Sequence, residues 1–181
     1  TSARLSADRV TMADLPALGK PGTVISRTPV GRLDMQFVTF ANGVKLTLFA
    51  NNAETGKVRI NVRFGHGQQA LSPKRNQPSW AAGYILGANG IGKLGQRDLD
   101  ELTNGRRLNF SFNIDDDAFE MGAVTRPADY KDQLRLFAAK LAYPGWDPAP
   151  LARARAGLLA AYDATSAAPD SLLGRDLGWL L

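Results

Sequence analysis

Residues 57–64 alternate strictly between apolar and polar side chains, and this period of two limits the segment to a β-strand with one buried and one solvated face. The same period returns in residues 108–114 and 119–125, which are separated by three aspartates that predict a turn. A sheet with one apolar face needs a second layer to cover it. The inward residues of the first strand are Val58, Ile60, Val62 and Phe64.

Two more strands are predicted nearer the N-terminus, at residues 37–41 and 44–49. They flank Asn42-Gly43, the dipeptide that favours the two-residue type I′ turn of a β-hairpin. The preceding residues, 1–33, contain three prolines and several glycines without an apolar period. That composition predicts an extended arm or linker.

The apolar period lengthens in the other segments, which predicts helices. One helix is expected over 77–88 and a short one over 97–103. Asp147 before Pro148 is a typical N-cap followed by a first-turn proline, so another helix opens there. A last helix is expected to begin near Asp170. The helix before Asp147 is predicted to bury one stripe, formed by Tyr130, Leu134, Phe137 and Leu141.

The order of these elements predicts an α+β fold, a two-layer sandwich in which an antiparallel or mixed sheet carries helices packed on one side. Residues 34–181 are long enough for a single domain with a sizeable core. The chain ends on the apolar residues 179–181, so this domain is expected to be truncated at its C-terminus.

The composition removes several classes of function. The chain has no cysteine, which excludes disulfides and thiolate metal sites, and it lacks the ~20 consecutive apolar residues that a membrane span needs. His66, the one histidine, lies between two glycines without a Gly-x-Ser-x-Gly motif elsewhere, so a surface loop is the simpler interpretation. The net charge of +5 comes from scattered arginines, which does not indicate a nucleic-acid-binding patch.

The glycine-rich segment 87–95 is similar to two phosphate-binding motifs, and both lack their context. Gly87 to Lys93 spells Gly-x4-Gly-Lys, but Leu94 stands where a P-loop needs serine or threonine. The dinucleotide fingerprint needs a buried strand before the glycines and an acidic residue about 20 residues later. The segment is therefore predicted to be a loop after a helix end. The aspartates at 115–117 likewise lack the spaced ligands of a calcium loop.

Four other segments, taken together, carry a family resemblance. They are 40–48 (Phe-Ala-Asn-Gly-Val-Lys-Leu-Thr-Leu), 62–67 (Val-Arg-Phe-Gly-His-Gly), 90–94 (Gly-Ile-Gly-Lys-Leu) with Asp98-Leu99, and 144–148 (Pro-Gly-Trp-Asp-Pro) with 152–155. In order and spacing they resemble the pitrilysin/insulinase family of zinc metallopeptidases. Active members carry His-x-x-Glu-His on the first core helix and a glutamate on a much later helix, which supply the zinc ligands and the general base.

In this chain, Trp80-Ala-Ala-Gly83-Tyr84 aligns with that motif. Trp80 and Tyr84 stand at the histidine positions and Gly83 at the catalytic glutamate, while Ala160 or Ala161 stands at the later glutamate. None of these residue types replaces the missing ligands. The resemblance therefore implies a degenerate domain with no catalytic residue, no cofactor and no metal, the zinc being expected only in a catalytic partner domain.

The expected function follows from that resemblance, in which a catalytic and a degenerate domain enclose the substrate between them. This chain is expected to be the non-catalytic domain, to close the substrate chamber and to help bind a peptide or protein substrate. Its partner would be a catalytic metallopeptidase domain of the same or a paired chain, in a bacterial periplasm or cell envelope. The alternative is a repurposed protein–protein interaction scaffold without protease activity. An unfamiliar hydrolase is disfavoured by the single histidine and the absence of cysteine.

Overall fold

The computed structural model describes residues 9–72, 74, 79–165 and 169–180, which contain two antiparallel sheets of three strands and five α-helices. Short 3₁₀ turns lie at Met12–Asp14, Gly67–Ala70 and Ser79–Ala81. The strands are β1 (Val24–Pro29), β2 (Met35–Phe40), β3 (Lys45–Phe49), β4 (Val58–Phe64), β5 (Ser111–Ile114) and β6 (Phe119–Thr125). The helices are α1 (Ala82–Ala88), α2 (Gln96–Thr103), α3 (Tyr130–Ala142), α4 (Ala149–Thr165) and α5 (Pro169–Leu180).

The second sheet has the order β4-β6-β5 and carries the core that the alternation predicted. Its central strand places Met121 opposite Val62, and α3 covers the apolar face with Phe137. The ring of Phe137 meets that of Phe110 edge to face at 5.8 Å. The α+β class and the helix layer over a sheet are confirmed. The strands divide into two sheets, however, where the sequence predicted one.

The first sheet has the order β1-β2-β3, and its hairpin turn differs from the predicted type I′ turn. The Phe40 amide donates to the Val44 carbonyl at 2.9 Å, so the loop between β2 and β3 has three residues. Gly43 takes a positive φ of 86°, whereas no non-glycine residue of the described chain does. A type I′ turn needs positive φ at both central residues. Asn42 keeps a negative φ, and its side chain accepts a hydrogen bond from the Val44 amide at 3.2 Å.

The segment 1–33, which the sequence predicted to be an extended arm or linker, contacts the rest of the fold at two places in the part that the structure describes. β1 pairs antiparallel with β2, with one register shift between Val24 and Ser26. Further upstream, Met12 and Leu15 are buried in the cluster that α2 and α3 form around Ile91. Thr11 and Asp14 close a capping box around this turn, which aims two apolar side chains into the core from only four residues. The domain boundary at residue 34 stays a prediction.

Helix α3 is rotated from its predicted orientation. Of the expected stripe, Phe137 is buried, whereas Tyr130, Leu134 and Leu141 are exposed. Two polar residues lie on the buried face, because each finds backbone partners there. The side chains buried on α3 are Gln133, Leu136, Phe137, Ala139 and Lys140.

Candidate peptide-binding groove

A groove of about 640 Å³ runs between α1 and β5, one of the two edge strands of the second sheet. Helix α1 packs directly against β5, and the 3₁₀ turns on either side of residues 73–78 contribute one residue each. Polar side chains alternate with apolar ones along its strand wall. The groove is lined by Gln68, Ser79, Gly83, Tyr84, Ser111, Phe112, Asn113 and Ile114.

Gly83 lies close to the strand wall of the groove. A Cβ atom built on Gly83 would lie 3.0 Å from the carbonyl oxygen of Phe112. That distance is shorter than an ordinary contact, and the opposing atom belongs to the strand backbone, so it yields little. A larger residue at position 83, including the glutamate of the family motif, would push α1 away from β5. Glycine is what lets the helix lie against the strand.

The structure brings two of the five predicted motif positions together. Gly83 and Tyr84 both line the groove, and Tyr84 is 56% exposed, so its ring is available as a contact surface. The side chain of Trp80 lies outside the described residues. Ala160 and Ala161 lie on α4, are exposed and do not line the groove, although α4 packs against α1.

These positions do not fit a catalytic zinc ion. Zinc needs imidazole, carboxylate or thiolate ligands, whereas α1 has the sequence Ala-Gly-Tyr-Ile-Leu-Gly-Ala. His66 is exposed at the start of the Gly67–Ala70 turn. In the part of the chain that the structure describes, no three histidine, aspartate or glutamate side chains are close enough to hold a metal ion. That this domain binds no zinc stays a prediction, which titration can test.

A charged turn follows β5, the strand wall of the groove. The aspartates at 115–117 form the predicted turn between β5 and β6, and backbone amides of Gln68 and Gln69 donate to its carbonyls at 2.8 and 3.2 Å. Arg63 pairs with Asp115 at 3.6 Å, with Asp117 at 2.8 Å and with Glu120. The arginine neutralises part of this acidic cluster, so the turn is held by an ion-pair network and offers no cation site.

At the opposite end of β5, side chains form hydrogen bonds with backbone groups in place of a backbone ladder. The Asn109 side chain donates from Nδ2 to the Val124 carbonyl at 2.7 Å and accepts at Oδ1 from the Val124 backbone amide at 3.2 Å, which extends the β5–β6 ladder. Gln133 from α3 bonds both backbone groups of Asn109, at 3.0 and 2.7 Å. Next along the chain, the hydrogen bond from the Arg107 amide to Asp129 holds the pKa of that carboxyl below its usual 3.8. The strand is therefore rigid on its β6 side.

The glycine-rich segment forms a loop after α1, as the sequence predicted. Its amides bond to the protein's own carbonyls: Ile91 donates to Leu94 at 2.9 Å and Gly92 to Tyr143 at 2.8 Å. Ile91 is fully buried and packs in the core cluster with Leu99 and Leu136. The loop thus anchors the end of α1, and these amides do not form a phosphate cradle.

The sequence interpretation missed the groove residues Ser111 and Asn113. Their signal was the polar face of the alternating segment 108–114, which was assigned only to solvent. It also missed Lys140, whose spacing of three from Phe137 places it on the buried face of α3.

Comparisons with family models and with curated protein sequences find no match. Comparison with solved structures finds the periplasmic protease PqqL from Escherichia coli, with a TM-score of 0.75 and 14% identity, over 97% of this chain and 19% of that one. It also finds a mutant of the ferredoxin protease FusC in complex with Arabidopsis ferredoxin, with a TM-score of 0.62 and 15% identity, over 82% of this chain and 16% of that one. At such low identity, a structural match establishes the fold alone. These two matches support the insulinase-like fold that the sequence suggested. The chain spans less than a fifth of each protease, and it has the fold of one part of these larger protease chains.

Proposed function

We propose that this chain is a non-catalytic domain of a zinc metallopeptidase of the pitrilysin/insulinase type, and that it closes the substrate chamber and helps bind peptide. The observation that carries the proposal is the groove between α1 and β5. Gly83, which aligns with the catalytic glutamate of the family motif, lies inside it and presents no acid–base group. A groove of this kind would contact a peptide without supplying the glutamate that the family uses for hydrolysis.

The edge strand is the reason to expect a peptide as the ligand. In the sheet order β4-β6-β5, only one side of β5 is paired with a strand. An extended peptide can add to such an edge through main-chain hydrogen bonds, which recognise any sequence, while side-chain contacts select among sequences. Ser111 and Asn113 lie on the polar face of this strand, and Tyr84 supplies an exposed aromatic surface on the other wall.

A larger assembly is supported by the apolar surface that this chain leaves exposed. Helices α4 and α5 contact each other, yet both carry solvent-exposed leucines. Large exposed apolar areas usually mark an interface. PqqL and FusC are each more than five times as long as the matching segment, which fits a second, zinc-bearing domain against these helices. The exposed leucines are Leu158, Leu159, Leu173 and Leu177.

The same apolar surface favours the alternative function, a protein–protein scaffold with no associated protease. The two differ in what the partner carries. A second copy of the fold with His-x-x-Glu-His, in the same chain or a neighbouring reading frame, supports the peptidase role. A partner without that motif, recovered together with this chain from its native cells, supports the scaffold role.

Zinc titration tests the non-catalytic assignment. The purified domain, stripped of metal, is titrated with zinc in a calorimeter, and we expect no site tighter than about 10 μM. A His66→Ala variant is the control, since it removes the one imidazole. Stoichiometric tight binding by the unaltered chain would mean that ligands were missed and would refute the proposal.

Peptide binding to the edge of β5 is tested with a modified ligand. A fluorescent peptide of about six alternating threonines and valines is matched to a typical strand length. We expect weak binding that is lost when alternate amides are N-methylated on the side that pairs, and kept when the other alternate amides are methylated. Equal effects from the two methylation patterns, or no binding at all, would count against a peptide groove.

A periplasmic or envelope location is part of the proposal. PqqL is described as periplasmic, and in the described part of this chain no helix is long and apolar enough to cross a membrane. Osmotic-shock fractionation of the native cells, followed by immunoblotting, tests it. Recovery in the cytosolic fraction would contradict this part of the proposal.

A further inference from the structure

Lys140 makes an unusual set of contacts on the inner face of α3. Its side chain is buried, with 5% of the residue exposed. The ammonium group donates to the backbone carbonyls of Leu86 at 2.6 Å, Asn89 at 2.8 Å and Gly87 at 3.4 Å. It also lies 4.9 Å from the centroid of the Phe110 ring. Among the described residues, no carboxylate is within ion-pairing distance of this group.

Two of these carbonyls, those of Leu86 and Gly87, lie in the last turn of α1, and the third belongs to its C-cap residue Asn89. The last carbonyls of a helix have no intrahelical donor, and they form the negative end of the helix dipole. Helix α1 has seven residues and no side-chain hydrogen bond at its N-cap, so its own contribution to stability is small. Lys140 supplies both the missing donors and a positive charge at this end.

This arrangement has an energetic cost that a purely structural contact would avoid. Burial lowers the pKa of the Lys140 ammonium group to about 8, because the charged form loses hydration. An apolar side chain at this position would pack α3 without that cost. A buried lysine is better explained by what it holds in place than by the packing that it adds.

Lys140 joins the two walls of the groove at one end. The carbonyls that it bonds belong to the last turn of α1 and to its C-cap residue, and the aromatic ring that it contacts belongs to residue 110, which leads directly into β5. About one helical turn before those carbonyls, Gly83 meets the Phe112 backbone. We propose that Lys140 is a positioning residue that sets the separation of α1 and β5, and with it the width of the peptide groove. This inference rests on the proposed peptide-binding function.

The test compares Lys140→Met with Lys131→Met by hydrogen exchange and by peptide affinity. Lys131 lies exposed on the same helix, so its substitution removes the same charge without touching α1. In Lys140→Met we expect the α1 amides, including Asn89, to exchange about tenfold faster or more, while the β4–β6 ladder is unchanged. We also expect the alternating threonine–valine peptide to bind at least about fivefold more weakly. Lys131→Met should change neither measurement.

The outcomes separate the two ideas. Unchanged α1 exchange in Lys140→Met overturns the inference, whatever happens to the peptide. Faster exchange with unchanged peptide affinity also overturns it, because Lys140 would then hold the helix without setting the groove. If the unaltered chain binds no peptide, the proposed function fails, while the exchange data still report on α1. If Lys140→Met does not fold, Lys140→Gln replaces it, since its neutral amide removes the charge and its shorter side chain withdraws the N–H donors from the carbonyls of Leu86 and Asn89.

Discussion

The burial of Leu15 decides whether the residues before β1 belong to the folded domain. Leu15 is 3% exposed and packs in the same cluster as Ile91, Leu99 and Leu136. Truncating a buried leucine to alanine removes its transfer free energy and leaves a cavity, which together cost about 2–5 kcal/mol. A cluster assembled from several elements collapses only partly around such a hole. We therefore expect Leu15→Ala to lower the free energy of unfolding by about 3 kcal/mol.

Urea denaturation followed by far-ultraviolet circular dichroism measures this loss. The matched control is Leu18→Ala, because Leu18 is 37% exposed and outside the cluster, so its cost should stay within about 0.5 kcal/mol. The slope of the transition should be the same in both variants, since the surface exposed on unfolding hardly changes. A loss below about 1 kcal/mol for Leu15→Ala would show that this segment is a linker lying on the surface.

Three further predictions concern the groove and its charges. In the same urea assay, Gly83→Ala should lower the free energy of unfolding by about 1–3 kcal/mol, because the new Cβ would crowd the Phe112 carbonyl. Gly87→Ala should raise it by about 0.5–1 kcal/mol, because the space around Gly87 is open. A more stable Gly83→Ala than Gly87→Ala would contradict the close approach at Gly83. The fold lowers the pKa of Asp129, so this carboxylate stabilises the folded state fully above pH 3.8 and stops doing so as the pH falls through its lowered pKa. Asp129→Asn should therefore weaken the loss of unfolding free energy at acid pH. An unchanged acid dependence in this variant would contradict the role of Asp129. The Lys140 pKa falls from 10.5 to about 8 on folding, so the unfolded chain binds more protons between these two pH values and the free energy of unfolding should rise with pH across that window. This rise should be absent in Lys140→Met. If it persists in that variant, other groups cause it.

Local patterns predicted the elements of this fold well, because a strand's alternation and a turn's composition depend on few residues. The half-buried inner face of β4 and the aspartate turn before β6 are as the sequence indicated. The position of Gly83 on the first core helix also followed from the sequence, through the resemblance. What it could not supply was the carbonyl of Phe112 opposite that glycine, since the two residues are 29 positions apart and meet only by packing.

The sequence by itself determined the approximate positions of β2 to β6 and of the five α-helices, the α+β class, and the lack of imidazole and carboxylate groups at the motif positions. Only the tertiary structure decided which face of α3 is buried. Lys140 donates to carbonyls at the end of α1 and Gln133 bonds the backbone of Asn109, and no apolar pattern in the sequence reveals these hydrogen bonds. It also decided that Met12 and Leu15 lie in the core. The segment around those residues shows no apolar periodicity, and their burial depends on a cluster formed by elements that are distant in the sequence.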